Sequence, residues 1–335
     1  MNIGKHCFDT PLILAPMAGV TDLPFRQLCI KYGASAAISE MISAKPELMR
    51  TQKSLKRQDH SDEAGIRWIQ IAGSDPELMA NAAQYNESLG ADIIDINMGC
   101  PAKKVCNKAA GSALLQYPDL VADILDAVLE SVSIPVTLKI RTGNDPENKN
   151  ALDIAKIAEK CGISALSVHG RTRSCKFKGE AEFETVSEVK NHVSIPVFAN
   201  GDIDSAKKAK KVLQQTSADG LLIGRAAQGR PWIFQEIRYY LEHGELPQNG
   251  VSNEVGINDI GDIMLQHVED LHQFYGEKMG LRIARKHVGW YLKQTTINDD
   301  YRKQFNHIDE AEDQLLNIKN LFNRQSNNMT WIKAS

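Results

Sequence analysis

The sequence has no run of 18 apolar residues, no Cys-x-x-Cys pair and no Gly-x-Gly-x-x-Gly after its first apolar stretch. Each absence removes a class of protein. Without a long apolar run there is no candidate membrane-spanning helix. The six cysteines (Cys7, Cys29, Cys100, Cys106, Cys161 and Cys175) are scattered, so neither a zinc site nor a disulfide framework is indicated and reduced thiols are expected. Without the glycine fingerprint, an open doubly wound dinucleotide-binding sheet is disfavoured. The first ten residues are polar and mixed rather than signal-like, which leads us to expect a cytoplasmic protein. A net charge of −3 argues against nonspecific coating of nucleic acid. It leaves a local basic face open, because binding depends on where the charges lie.

What is present is an ordinary globular composition. The 335 residues, 42% of them hydrophobic, suffice for a large core and about two domains. Short apolar runs occur at residues 12–19, 36–41, 68–73, 93–98, 134–141, 165–171, 195–202 and 220–225. Helical patterns follow several of them, at 23–32, 76–89, 118–132 and 151–160. Two phrases recur. Ser-Ile-Pro-Val enters a strand at 133–136 and again at 194–197, and helices close on Gly33, Gly90, Gly162 or Ser217 just before the next strand. Eight such units in about 240 residues match a parallel (β/α)₈ TIM barrel, typically about 250 residues long. Beyond residue 245 the texture changes. A polar linker at 247–253 precedes helical patterns at 259–275, 281–293 and 308–322, and residues 323–335 should fray. The α/β barrel is thus expected over 1–245 and a small helical bundle domain over 246–335.

In a barrel of this kind the active site lies at the C-terminal ends of the strands. The residues there are Pro16, Met17, Ala18 and Gly19; Glu40; Gln70; Asn97 and Cys100; Lys139 and Arg141; His169 and Arg171; Asn200, Gly201 and Asp202; Gly224 and Arg225. The last two strands commonly bind phosphate through loop amides, and Arg225 could grip two of its oxygens. Lys139 should point into the mouth, where a buried lysine serves a negative charge or a Schiff base. Gln70 offers a donor and an acceptor, which suits the edge of a heterocycle. Cys100 ends the run Ile93-Ile94-Asp95-Ile96-Asn97-Met98-Gly99 and meets Lys103 and Lys104 beyond it. A cysteine so placed is either an inert small hydrophobe or a thiol delivered to a site.

Taken together, the segments resemble one family. They are Ala15-Pro16-Met17-Ala18-Gly19-Val20-Thr21-Asp22, Gln70-Ile71-Ala72-Gly73, Asp95-Ile96-Asn97-Met98-Gly99-Cys100-Pro101, Leu138-Lys139-Ile140-Arg141-Thr142-Gly143, Val168-His169-Gly170-Arg171-Thr172-Arg173, Ala199-Asn200-Gly201-Asp202 and Ile223-Gly224-Arg225-Ala226. The chain is similar to the tRNA-dihydrouridine synthases, and among bacterial members to the B type. The tail segment Arg282-Ile283-Ala284-Arg285-Lys286-His287 also fits.

The resemblance implies an enzyme that uses FMN and NADPH (or NADH) to reduce particular uridines of the tRNA D-loop to 5,6-dihydrouridine. Neither a membrane nor a stable protein partner is implied. Carried over by position, Pro16, Met17, Ala18, Gln70 and Lys139 would hold the flavin ring. Asn200, Gly201, Asp202, Gly224 and Arg225 would hold its phosphate. Cys100 would be the general acid at C5, Asn97 would meet the uracil edge, and His169 and Arg141 would contact base or cofactor. An acid of this kind must stay protonated, so a site that makes a thiolate is not wanted. Arg282, Arg285 and Lys286, with Lys293, fall on one side of a helix beside Trp290 and Tyr291, where they could meet tRNA phosphates. Two rival chemistries share part of this set: a flavin-dependent reductase of a free pyrimidine or another enone, and a Schiff-base lyase using Lys139.

Overall fold

A computed structural model describes residues 1–49, 51–58, 60, 63, 65–106, 110–246, 257–295 and 299–325. The linker expected at 247–253 lies outside the described residues, as does most of the terminus expected to fray, from 326 onward. Eight parallel strands carry the first part of the chain: β1 (Leu12–Leu14), β2 (Ala36–Ile38), β3 (Arg67–Ala72), β4 (Ile93–Met98), β5 (Val136–Arg141), β6 (Ala165–His169), β7 (Val197–Asn200) and β8 (Gly220–Ile223). Each pairs with its neighbour in sequence, and β8 returns to β1 with Leu222 opposite Ile13, so the sheet closes without an edge. This is the expected TIM barrel. Parallel strands covered on both faces read as continuous apolar runs, and β4 and β5 are buried along their whole length.

Among the described residues, the longer helices between the strands are α1 (Leu23–Lys31), α2 (Pro76–Ser88), α3 (Pro118–Ser131), α4 (Ala151–Cys161), α5 (Glu184–His192) and α6 (Ala206–Thr216). α2 starts where Asp75 accepts the Leu78 N–H at 3.0 Å with Pro76 just inside, a combination that satisfies one orphan amide and removes another. The helix-closing positions read from the repeats do adopt the left-handed turn, with φ of 106° at Gly162 and 53° at Ser217.

Most of the strands are shorter than their apolar runs, and two show why. β2 stops at Ile38 and resumes only as Ile42–Ser43, because the Glu40 carboxylate between them turns to the Gly19 N–H and to Arg57. β6 ends at His169, where the chain bends into a loop. Between β4 and α3 the periodicity assigns nothing. The chain there forms a short helix, Lys103–Cys106, and a 3-10 turn, Gly111–Gln116.

Ile3 and Phe8, from an N-terminal hairpin, join Ile13, Ile38, Trp68, Ile93, Phe198 and Leu222 in one buried cluster. Trp68 is its centre, with ring centroids 6.3 Å from Phe8 and 6.2 Å from Phe198. This apolar floor lies toward the N-terminal ends of the strands, so polar side chains are left for the other end.

The chain forms two compact units. The first comprises Met1–Ile30, Ala34–Asp204 and Lys208–Gly224; the second takes Lys31–Gly33, Ser205–Lys207 and the described residues from Arg225 onward. The second unit contains α7 (Ile233–His243), α8 (Ile257–Tyr275), α9 (Glu277–Leu292), α10 (Asp299–Phe305) and α11 (Ala311–Gln325). α8 packs against α9 and α11. Close approach of α8 and α9 requires Gly280, where a Cβ would lie 2.7 Å from the His272 Cα. Among the described residues no helix is long and apolar enough to cross a membrane.

Candidate active site

Strand register sets which side chains share the barrel interior. Gln70 pairs with Asp95, Asp95 with Thr137, Asn97 with Lys139, and Arg141 with His169, which in turn pairs with Asn200. Alternation along each strand sends these polar groups inward, and they form a hydrogen-bonded ladder rising from the apolar floor. The Trp68 indole donates to Thr137 Oγ1 at 3.0 Å, and that hydroxyl donates to Asp95 Oδ1 at 2.7 Å. Gln70 Nε2 donates to Asp95 Oδ2 at 2.6 Å, and Gln70 Oε1 accepts from Asn97 Nδ2 at 2.7 Å. Asn97 Oδ1 then accepts the N–H groups of Gly99 and Cys100 at 3.2 and 3.0 Å. The orientation of each amide therefore follows from the carboxylate below it.

Asp95 is fully buried, and loss of hydration raises its pKa to about 6, against the bonds from Gln70 and Thr137 and the charge of Lys139. Lys139 is lowered to about 8, first by burial and then by Arg141, while Asp95 pulls the other way. Its ammonium donates to Asn200 Oδ1 at 2.9 Å, and Asn200 Nδ2 donates to the Leu222 carbonyl.

The peptide of Cys100 is held from both sides. Asn97 takes its N–H. Its carbonyl accepts from the Ser112 N–H at 3.1 Å, the Ser112 hydroxyl at 2.9 Å and the Cys106 thiol at 3.4 Å. Gly111, at φ 63°, allows this approach, since a Cβ there would come within 2.8 Å of the Cys100 oxygen. Gly111 and Ser112 were not among the sequence candidates. They sit in the stretch without periodicity, and only their approach to Cys100 marks them. Burial pushes the Cys100 thiol above 9.0; the Ala102 amide opposes this, Cys106 adds to it and Arg141 opposes it.

Arg141 is almost wholly buried and spends its guanidinium on carbonyls: Gly99 at 2.7 Å, Thr172 at 2.9 Å and Lys176 at 2.7 Å. Arg171 does the same for Lys178 and Gly179 and forms a bidentate pair with Asp202. The Asp202 carboxylate also accepts the Ala181 N–H at 2.9 Å, so it is an anchor for the loop after β6. At Gly201, φ 124°, a Cβ would lie 3.0 Å from the His169 ring. In the first loop Met17 is tied to Thr21 and Gly19 to Glu40, and the Met17 sulfur lies 3.6 Å from where a Cβ at Gly224 would stand. No group of three His, Cys, Asp or Glu able to hold a metal exists among the described residues.

A family model for dihydrouridine synthase (Dus) matches residues 13–327. The chain belongs to the dihydrouridine synthase family. It is 59% identical over 322 residues to the tRNA-dihydrouridine synthase B of Vibrio vulnificus, covering 96% of this chain and 98% of that one. It is 55% identical over 335 residues to the protein of the same name from Pseudomonas aeruginosa, covering 100% and 99%. Solved structures share the fold alone. An old yellow enzyme homologue from Zymomonas mobilis matches with a TM-score of 0.52 at 15% identity, over 74% of this chain and 92% of that chain. A 2-naphthoyl-CoA reductase complex matches with a TM-score of 0.56 at 12% identity, over 71% and 51%.

In this member of the dihydrouridine synthase family, the sequence candidates Arg225, Arg282, Arg285, Lys286 and Lys293 lie in the second unit. Arg225 opens a 3-10 turn, Arg225–Ala227. On α9, Arg282 is exposed, while Arg285 donates to the Ile308 carbonyl and to Asp309, both at 2.9 Å. The Lys286 ammonium sits 5.9 Å from the centroid of the Trp290 ring. Lys293 caps the helix.

Proposed function

We propose that the protein is a cytoplasmic enzyme that reduces particular uridines of the tRNA D-loop to 5,6-dihydrouridine, with FMN as flavin and NADPH, or NADH, as reductant. The name shared by relatives at 55 to 59% identity supports this reading. The observation that carries it is Cys100, half-buried at the end of β4, gripped through its peptide and with its thiol pushed above 9.0.

The donor set suits a flavin. Gln70 has used one N–H and one lone pair, so its amide keeps one of each for a ring edge. Lys139 offers an ammonium in a water-poor mouth, and at Gly201 a Cβ would press on Ala181 and the His169 ring. Pro16, Met17, Ala18, Gln70 and Lys139 would hold the ring, with His169, Asn200, Gly201, Asp202, Gly224 and Arg225 on the phosphate side. Asp202 would serve through its main chain, its carboxylate being committed to Arg171.

A flavin held by these residues would supply hydride chemistry toward C6 of the uracil. Protonation of C5 falls to Cys100. A raised thiol is almost entirely protonated at neutral pH, and buried carbonyl contacts keep its loop in place while the proton leaves. Asn97 retains one amide N–H for the uracil edge, and Arg141 holds the loops on either side of it. Extruding the uridine costs a few kcal/mol. The helices beyond residue 245 would supply that energy through tRNA phosphates, with Arg282, Arg285 and Lys286 as contacts.

Replacing Cys100 by Ala tests the assignment. The variant should keep its flavin and oxidise NADPH, yet form little dihydrouridine in tRNA when the product is counted by mass spectrometry. A normal yield would remove Cys100 from the role of acid.

A further inference from the structure

The loop between β6 and α5 holds a large apolar side chain in the open. Phe177 is 56% exposed, between Lys176 and Lys178, which are exposed as well. A solitary exposed apolar residue is ordinary. This one differs in how its backbone is held. Arg141 binds the carbonyls of Thr172 and Lys176, and Arg171 binds those of Lys178 and Gly179, so two buried guanidiniums fix the chain on both sides of Phe177. Lys176 adopts φ 53°, a conformation a lysine takes only when its surroundings impose it. The Arg141 Cζ lies 5.4 Å from the Phe177 ring centroid, and the same guanidinium donates to the Gly99 carbonyl, next to Cys100. A rigidly presented aromatic with a cation on each side thus stands one side chain away from the thiol's loop.

We propose that Phe177 is a base-stacking platform that takes the face of the nucleobase adjoining the target uridine, with Lys176 and Lys178 against the neighbouring phosphates. The inference rests on an RNA substrate, as argued under Proposed function. Extruding a uridine leaves its neighbour in the strand with one face uncovered. An aromatic side chain covers such a face whatever the base, and single-stranded RNA is commonly bound this way. Phe177 lies at the exposed rim, unlike Lys139 and Arg141, which are buried below. That position suits the flanking base, leaving the buried groups to the target.

The test uses the full-length flavin-loaded protein and an unmodified tRNA transcript. Phe177→Ala should lower kcat/KM for dihydrouridine formation roughly 10- to 100-fold, the range for losing one base–aromatic stack, while flavin content and tRNA-free NADPH oxidation stay unchanged. Phe177→Leu keeps an apolar cover over Arg141 and should fall as far as Ala, whereas Phe177→Tyr and Phe177→Trp should stay close to wild type. The Trp variant should also show indole quenching on tRNA binding beyond that of the wild-type protein. An unchanged Ala variant, full activity in Leu, or no added quenching would overturn the platform while leaving the uridine-reducing activity standing. If the wild-type protein itself forms no dihydrouridine in tRNA, the functional reading and the platform fall together.

Discussion

Cys100 owes its character to backbone contacts more than to charge. Its carbonyl is held by three donors and its amide by Asn97, while burial raises the thiol. Because the shift is upward, the thiolate fraction at pH 7 is smaller than for a free cysteine, and a higher pH is needed to reach a given fraction. Alkylation of Cys100 by iodoacetamide, followed by peptide mass spectrometry, should therefore be slow at neutral pH and accelerate above pH 9; fast labelling at pH 7 would contradict the picture. The grip on the carbonyl has its own consequence. Ser112→Ala removes one donor, worth about 1 kcal/mol, and should lower kcat about five-fold with KM for tRNA little changed. Gly111→Ala should do more, since its Cβ would press on the Cys100 oxygen at a backbone angle that L residues avoid. Steady-state kinetics of both variants separate loop placement from substrate binding.

At the scale of elements, β3, β4 and β5 are joined through their interior as well as through their ladders. Asp95 lies at the centre of that junction. Its folded pKa of about 6 is above the ordinary 3.8, so between these values the folded protein keeps a proton that the unfolded chain has released. Stability from this group is present at low pH and is lost as pH rises from about 4 to 6. Asp95→Asn should flatten that part of the pH profile in urea denaturation. Glu63 behaves with the opposite sign. Burial alone would raise it, but hydrogen bonds from Arg26 and His60 outweigh burial and hold it at about 2. Its contribution is present above 4.5 and fades as pH falls toward 2. Glu63→Gln would leave the buried Arg26 without its counter-charge and should cost about 3–5 kcal/mol, read as a fall in the urea midpoint at pH 7.

For the whole molecule, charge placement matters more than the net −3. α9 turns Gly280, Leu281, Ala284, His287, Val288 and Tyr291 inward and leaves Arg282 and its cap Lys293 exposed. A double charge reversal, Arg282→Glu with Lys293→Glu, should raise KM for tRNA and flatten its dependence on salt, because fewer counterions are released on binding. NADPH oxidation without tRNA should be unaffected. Arg285 is a different case: it already bonds Ile308 and Asp309, so its replacement should also lower thermal stability.

Much of this was legible in the residues alone. Apolar runs at a regular spacing, each ended by a polar residue, define eight strands and identify Gln70, Asn97, Lys139, Arg141 and Asn200 as interior groups, because alternation along a strand is a local property. The helix-closing turns at Gly162 and Ser217 are local too. What the polar groups do once inside depended on closure. Asp95 meets Gln70 and Thr137 from two other strands, Arg141 reaches loops 31 and 42 residues away, and Ser112 finds the Cys100 carbonyl across a segment with no periodic signal. Glu40 cut a strand that its apolar run would have continued, since its carboxylate found partners at Gly19 and Arg57. Periodicity assigns a face to each side chain, but hydrogen-bond partners distant in sequence are chosen only when the barrel brings them within about 3 Å of one another.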